Sequence, residues 1–152
     1  MQRKILTFVV RNGKILALYS EHHPEHGEGG WFVVTGGVEA NETREEAVAR
    51  EVMEETGLIT EEIMPLNWGS VYKWDGGVYE EHNFISFVDS ADIVLNEEHN
   101  KFEWLDIDEF IERIKWDDDK ELLKKVLEKA LNKEQYFKKQ EIKDYRKNEK
   151  NK

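Results

Sequence analysis

The segment of residues 36–58 constrains the fold more than any other part of the chain, because it carries its own start and stop signals. Residues 44–56 predict a helix, with Thr43 and Glu46 forming a capping box at its beginning. Gly57 follows directly and is a natural helix terminator. The rest of the fold must therefore be arranged around one capped helix with a loop in front of it.

Three glutamates of this helix project from neighbouring positions. Glu51, Glu54 and Glu55 are spaced three and four residues apart, so their carboxylates share one face, with Arg50 beside them. Carboxylates grouped in this way repel one another, but they suit hard divalent cations, which take oxygen ligands. On composition alone, an ordinary surface helix with many glutamates is the favoured interpretation.

The elements around the helix predict an α+β fold with a mixed sheet. Apolar, β-branched runs predict strands on both sides of the helix, and Asn12-Gly13 and Asp75-Gly76-Gly77 predict hairpin turns. Two amphipathic segments near the end of the chain predict further helices. The predicted strands are 3–10, 14–19, 31–34, 63–74, 78–88 and 102–105, and the predicted later helices are 106–114 and 117–131.

Charge and composition narrow the classes of partner. The formal net charge is −11, and residues 133–152 hold eight Lys/Arg and four Asp/Glu, which leaves a net of −15 in residues 1–132. Such an acidic body repels nucleic acid polymers, so a phosphorylated ligand needs a bridging cation. Cysteine is absent, and no apolar run is long enough to cross a membrane. We therefore expect a cytoplasmic protein that acts on a small phosphorylated molecule, with a homodimer left open.

The helix also fits a longer pattern of fixed positions. The segment reads GGVEANETREEAVAREVMEETGL, and its fixed residues are Gly36, Glu42, Arg50, Glu51, Glu54, Glu55 and Gly57, with aliphatic Val52 and Leu58. At every fixed position it resembles the 23-residue box of the Nudix hydrolase family. The resemblance implies a Nudix fold, an α/β/α sandwich, in a single domain of residues 1–132. The charged extension 133–152 is expected to be helical or frayed.

The resemblance implies a metal site and a reaction. The implied metal-binding residues are Gly36, Glu42, Glu51, Glu54 and Glu55, with Glu42 either a ligand or a support. The implied cofactor is Mg²⁺, with Mn²⁺ as a substitute, and Arg50 would orient Glu51. Water would attack a phosphorus of a pyrophosphate bond while cations stabilise the attacking and leaving oxygens.

The group that accepts the proton from water is not decided by this pattern. It is either a glutamate of the box or an acid of a later loop, and Glu98 in NEEHNKFEWL is the best loop candidate. A solvated loop without function is an equally good interpretation of Glu98.

Two features point toward a subgroup. Val34-Thr35-Gly36 stands where many family members have Pro-Gly-Gly, and EEHNKFEWLDIDEF follows later. Together they resemble the dihydroneopterin triphosphate/dATP pyrophosphohydrolases and the diadenosine tetraphosphate hydrolases. The predicted substrate is a nucleoside or pterin triphosphate or a dinucleoside polyphosphate. The alternatives are a MutT-like hydrolase that removes oxidised nucleotides and a Nudix-fold module that binds a nucleotide without catalysis.

The candidate substrate-binding residues are Thr35, Tyr72 and Trp74. Aromatic side chains cluster on the two central strands and could stack a base or a pterin, although strand aromatics more often pack in the core. His22, His23 and His26 share the first long loop, where a polar loop is a better interpretation than a zinc site.

Overall fold

The computed structural model describes residues 1–21, 28–134 and 141–145. Within them, strands precede and follow one long helix, and two further helices come late in the chain, as the sequence predicts. The strands are β1 (Gln2–Arg11), β2 (Lys14–Ser20), β3 (Gly30–Phe32), β4 (Val34–Gly37), β5 (Thr60–Trp74), β6 (Gly77–Val88), β7 (Lys101–Leu105) and β8 (Glu141–Asp144), and the helices are α1 (Arg44–Thr56), α2 (Ile107–Arg113) and α3 (Lys120–Leu131).

The strands of the described residues form one mixed sheet, in the order β3-β2-β1-β6-β5-β8, with β4 beside β1 and β7 beside β2. The β1–β6 and β5–β8 pairs are parallel, whereas β1 pairs antiparallel with β2 and β4. The predicted α+β class with a mixed sheet is confirmed.

The central strand β1 is buried on both faces and separates two apolar layers. Ile5 and Val9 belong to the cluster that packs against α1. Phe8 and Val10 belong to the cluster that contains Phe110 of α2 and the apolar face of α3. Because successive side chains of a strand point to opposite faces, this alternation produces the α/β/α sandwich.

Helix α1 begins and ends where its local signals predict. Thr43 accepts a hydrogen bond from the Glu46 amide, and the Glu46 carboxylate accepts one from the Thr43 amide, which completes the capping box. Gly57 closes the helix at φ 74°, a left-handed conformation that favours glycine. Asn41, in the loop before the helix, also has a positive φ, of 70°. The loop and helix that carry the carboxylates are therefore determined locally.

The predicted strand 31–34 is wrong in detail. It is divided into β3, which pairs with β2, and β4, which pairs with β1. Because β4 continues through residues 36 and 37, both glycines lie within the sheet and beside α1. Helix α3 begins at Lys120 and not at residue 117, since the Asp119 carboxylate caps the amides of residues 121 and 122.

The C-terminal segment also differs from its prediction. Residues 133–152 were expected to be helical or frayed, but Glu141–Asp144 form β8, which pairs with Trp68–Val71 of β5. A short charged segment has no periodicity that reveals such pairing, because the open edge of β5 supplies the hydrogen-bonding partner.

Among the described residues, no helix has the length and apolar character that a bilayer crossing demands.

Candidate active site

The carboxylates of α1 differ in their exposure to solvent. The side chain of Glu55 is 3% exposed, that of Glu51 is 14% exposed and that of Glu54 is 55% exposed. The helix thus carries one buried acid, one nearly buried acid and one acid at the surface.

The guanidinium of Arg50 joins the helix to the preceding loop. It donates to Glu51 Oε1 at 2.8 Å, to the Gly37 carbonyl at 2.7 Å and to both oxygens of Glu42 at 2.8 and 3.0 Å, while Glu54 Oε2 lies 3.4 Å away. A planar fork with several donors is required to satisfy these acceptors at once. The geometry supports the predicted orienting role of Arg50.

Glu42 is engaged by Arg50 and by the loop. Besides the two bonds from Arg50, Glu42 Oε1 accepts a hydrogen bond from the amide of Glu39 at 3.0 Å. The hydrogen bonds from Arg50, followed by the one from Glu39, lower the pKa of Glu42 to about 2. Of the two predicted roles, the geometry favours support of Arg50 over direct binding of a metal.

Gly36 lies directly beneath Glu51. A Cβ atom added at this glycine would meet Cγ of Glu51 at 2.5 Å and would overlap its carboxyl group. Nothing lies within 4 Å of the equivalent position at Gly37. Only a residue without a side chain at position 36 allows Glu51 to occupy its present place.

The carboxyl of Glu55 is held in a dry environment. Burial, and then the negative charges of Glu98 and Glu51, raise its pKa far above the ordinary value, and burial also raises the pKa of Glu51. Because Glu55 is buried beside the negative charges of Glu98 and Glu51, its raised pKa favours a protonated carboxyl when no cation is present. The second oxygen of Glu55 has no hydrogen-bond partner among the described residues.

The segment of residues 89–100 places two further groups against Glu55. The Val94 amide donates to the carbonyl of Thr56 at 2.9 Å, which ties the segment to the end of α1. The Asn100 amide donates to the carbonyl of Tyr19 at 3.0 Å, which ties it to β2. Between these anchors, Glu98 is exposed and His99 is buried.

Glu55, Glu98 and His99 form a compact group of metal-ligating side chains. One ligand atom from each lies within 4.8 Å of the others. The residues fit a divalent cation, since a buried oxygen of Glu55 has no partner in the described part of the chain and Gly36 leaves room for Glu51 beside it. His99 was not among the predicted site residues, although its position directly after Glu98 was the available signal.

A cleft of about 470 Å³ opens on the α2/α3 side of the sheet, and Thr35, Tyr72 and Trp74 all line it. Thr35 precedes Gly36 in β4, and because successive side chains of a strand point to opposite faces, the cleft and helix α1 lie on opposite faces of the sheet. The ring of Tyr72 stacks on Tyr79, with centroids 5.6 Å apart and an interplanar angle of 21°. Trp68 also lines the cleft, but it is 3% exposed and belongs to the core cluster that packs against α2 and α3.

Three buried polar atoms in the cleft have no hydrogen-bond partner among the described residues: the Tyr72 hydroxyl, Asn83 Oδ1 and Trp116 Nε1. Together they offer donors and acceptors to a ligand, because buried polar groups in native proteins are nearly always paired. Asn83 and Trp116 were not among the predicted site residues, because they come from distant parts of the chain and share no motif.

Lys4 lies between the cleft and the carboxylate group, a name used here for Glu51, Glu55 and Glu98. Its side chain is buried, and its ammonium is 5.6 Å from the centre of the Trp74 ring. Burial lowers the pKa of Lys4, while Glu81 in the cleft and the acids of the carboxylate group act in the opposite direction. A positive charge at the junction of the two regions suits a phosphate chain that spans them.

The other histidines of the chain are His82 on β6 and the three of the first long loop. His82 Nε2 pairs with Glu80 Oε1 at 2.5 Å on β6, apart from the carboxylate group. His22, His23 and His26 lie outside the described residues.

The sequence of the chain is similar to those of known proteins. A family model described as NUDIX domain matches residues 1–126. An octanoyltransferase of Myxococcus xanthus is 33% identical over 121 residues, which cover 76% of this chain and 33% of that protein. An NAD-capped RNA hydrolase NudC of Actinobacillus succinogenes is 33% identical over 104 residues, covering 66% of this chain and 38% of that protein. The chain thus spans about a third of the length of these relatives.

Solved structures share the fold at low identity. A NUDIX hydrolase from Nitrosomonas europaea has a TM-score of 0.72 at 19% identity, over 94% of this chain and 77% of that one. A C. elegans Ap4A hydrolase has a TM-score of 0.66 at 18% identity, over 87% and 99%. The E. coli dihydroneopterin triphosphate pyrophosphohydrolase has a TM-score of 0.62 at 22% identity, over 81% and 92%. At these identities the likeness concerns the fold.

Proposed function

We propose a substrate class for this chain, which belongs to the Nudix family of hydrolases acting on pyrophosphate bonds. It hydrolyses a nucleoside or pterin triphosphate or a dinucleoside polyphosphate with the help of a divalent cation. The observation that carries this proposal is the position of Lys4, which is within electrostatic reach both of Glu81 in the aromatic cleft and of Glu51 and Glu55 on α1. A substrate with a flat ring and a phosphate chain can occupy both regions at once.

The cation would be held by Glu51, Glu54 and Glu55, with the Gly36 carbonyl beside them. When bound, a divalent cation neutralises phosphate charge and makes water a stronger acid. Mg²⁺ is the cofactor that the family resemblance implies, with Mn²⁺ as a substitute. Glu42 stays outside this set, because Arg50 and the Glu39 amide occupy its oxygens.

The chain's own residues position the reacting groups. Arg50 keeps the Glu51 carboxylate in one orientation through a 2.8 Å hydrogen bond. Lys4 offers a positive charge to a phosphate that passes from the cleft to α1. Glu98 is the solvent-exposed acid of the metal-ligating group, so it meets bulk water and can accept the proton of the attacking water.

The cleft would hold the ring system of the substrate. Tyr72 and Trp74 offer aromatic faces, and the unpaired atoms of Asn83 and Trp116 can read the edge of a base or a pterin. An oxidised nucleotide is an alternative ligand of the same chemical class.

A second candidate substrate is a dinucleotide with a nicotinamide, such as NAD. It is favoured by the relatives named NAD-capped RNA hydrolase, of which this chain covers 38% in the A. succinogenes case. The net charge of −15 over residues 1–132 favours the free dinucleotide over a capped RNA polymer.

The test is a hydrolysis assay on five compounds: dihydroneopterin triphosphate, dATP, 8-oxo-dGTP, diadenosine tetraphosphate and NAD. Each is incubated with and without Mg²⁺ or Mn²⁺, and the products are identified by mass spectrometry. Cation-dependent cleavage of a phosphoric anhydride bond supports the proposal. Tight binding of a compound without turnover would instead identify a non-catalytic nucleotide-binding module.

Two variants then separate the roles of the acids. Glu54→Gln should sharply lower kcat without unfolding the domain, since its side chain is exposed. Glu98→Gln should lower kcat, with Glu97→Gln as a control at an adjacent exposed position. Equal activities of the Glu97 and Glu98 variants would move the general base to Glu51.

A further inference from the structure

The imidazole of His99 is buried without a partner. Its side chain is 3% exposed, and neither ring nitrogen has a hydrogen-bond partner among the described residues. A buried imidazole left in this state costs free energy, because its polar nitrogens have lost water and gained no partner in its place. Because buried polar groups of native proteins are nearly always paired, we expect the imidazole to bind a ligand.

The ring is directed at the most buried acid of α1. His99 Nδ1 lies 3.8 Å from Glu55 Oε1, which is too long for a hydrogen bond, and Glu55 Oε2 is also unpaired. Ligands of an ion with bonds of about 2.1 Å lie about 3 Å apart when adjacent and about 4.2 Å apart when opposite. The separation of the two residues falls within this range, so one ion can bind both.

We infer that His99 supplies a nitrogen ligand to the cation held by Glu55, so that the site selects first-row transition ions over Mg²⁺. This inference rests on the proposed function only in assuming that a divalent cation binds at α1. Glu98, on the exposed side of the group, remains available to water.

The preference follows from ligand chemistry. Mg²⁺ demands oxygen ligands in octahedral geometry, whereas an imidazole nitrogen gains affinity along the series from Mn²⁺ to Co²⁺ and beyond. A site made only of carboxylates offers no such selection. Replacing one oxygen position by His99 therefore favours Co²⁺ and Mn²⁺ at equal concentration.

The backbone holds the imidazole in place. The anchors at Val94 and Asn100 bracket His99 and attach the segment to α1 and to β2. The ring is therefore positioned before an ion arrives, as a built ligand would be.

The first experiment uses a variant with a single histidine. The chain has five histidines, so the fourfold variant His22→Gln, His23→Gln, His26→Gln and His82→Gln leaves His99 as the only imidazole. Untagged protein is loaded with Mn²⁺ and examined by electron spin echo envelope modulation, which detects nitrogen bound to Mn²⁺. We expect imidazole modulation in the fourfold variant and in the wild type. Its absence from the fourfold variant, with Mn²⁺ bound, overturns the inference.

The second experiment compares affinities by calorimetry. His99→Gln should weaken Co²⁺ binding about tenfold or more but change Mg²⁺ binding much less, with His82→Gln as the control. Equal losses for both ions would show a structural role and overturn the inference. If the protein hydrolyses a substrate but shows no imidazole modulation from His99, the proposed function stands and the inference fails. If the modulation is present but no substrate is hydrolysed, only the proposed function fails.

Discussion

At the scale of single residues, two residues with no acid–base role of their own decide where Glu51 lies. Gly36 leaves the space that the Glu51 side chain occupies, and Arg50 holds the carboxylate by a charged hydrogen bond. Position and orientation of one acid thus come from two neighbours, and each can be tested separately.

Gly36→Ala should abolish cation-dependent hydrolysis, because the new methyl group overlaps the Glu51 side chain and must displace it. Gly37→Ala is the matched control, since nothing lies within 4 Å of its added Cβ. Steady-state kinetics and Mn²⁺ binding measure the effect. Retained metal affinity in Gly36→Ala would contradict the placement of Glu51 at the site.

Arg50→Lys should lower kcat by about 10–100-fold, the usual cost of losing a group that orients a ligand. A lysine keeps the charge but cannot bind both oxygens of Glu42 while reaching Glu51 and the Gly37 carbonyl. Arg44→Lys on the same helix, where Arg44 pairs with Glu80, is the control. Full activity of Arg50→Lys would show that charge alone suffices.

At the scale of elements, the site forms where a capped helix meets a tethered segment. Helix α1 is held by its capping box and Gly57, whereas the segment of residues 89–100 has no regular structure and depends on a few backbone hydrogen bonds. The metal-ligating group therefore depends on those anchors.

Val94→Pro should weaken Mn²⁺ binding while leaving α1 folded. Proline has no amide hydrogen, so the bond to the Thr56 carbonyl is lost and Glu98 and His99 are released from α1. Val94→Ala is the control, because the Val94 side chain is 73% exposed and contributes mainly its backbone. Calorimetry gives the affinity, and circular dichroism checks the helix. An unchanged affinity would show that the segment is positioned by other contacts.

At the scale of the whole molecule, the buried acid Glu55 lowers the free energy of unfolding of the metal-free protein. Glu55 is buried beside Glu51, and a buried, uncompensated acid stays protonated in the folded state at pH values where the unfolded chain has lost its proton. The folded protein then binds more protons than the unfolded chain.

The free energy of unfolding of the metal-free protein should therefore fall as the pH rises above 4.5, the ordinary value for Glu55. Thermal melts in EDTA from pH 5 to pH 9 measure this slope. Glu55→Gln should flatten it, with the exposed Glu54→Gln as the control for charge. Excess Mn²⁺ should oppose the loss, because the cation binds the deprotonated carboxylate. A slope that Glu55→Gln leaves unchanged would contradict the raised pKa.

The sequence by itself determined the features that are local in the chain. The capping box, the left-handed Gly57 and the hairpin turn at Asn12-Gly13 depend on neighbouring residues, so each was found where it was predicted. The order of elements and the fixed positions of the box were likewise sufficient for the mixed sheet and for the family.

The tertiary structure alone decided which distant residues meet. His99 reaches Glu55 because hydrogen bonds tie its segment to α1 and β2, and Lys4 lies between the cleft and the acids because β1 runs parallel to β6. The strand β8 exists because β5 offers it an edge. Such contacts depend on long-range pairing, which leaves no periodic trace in the sequence, and they determine what the carboxylates of α1 can bind.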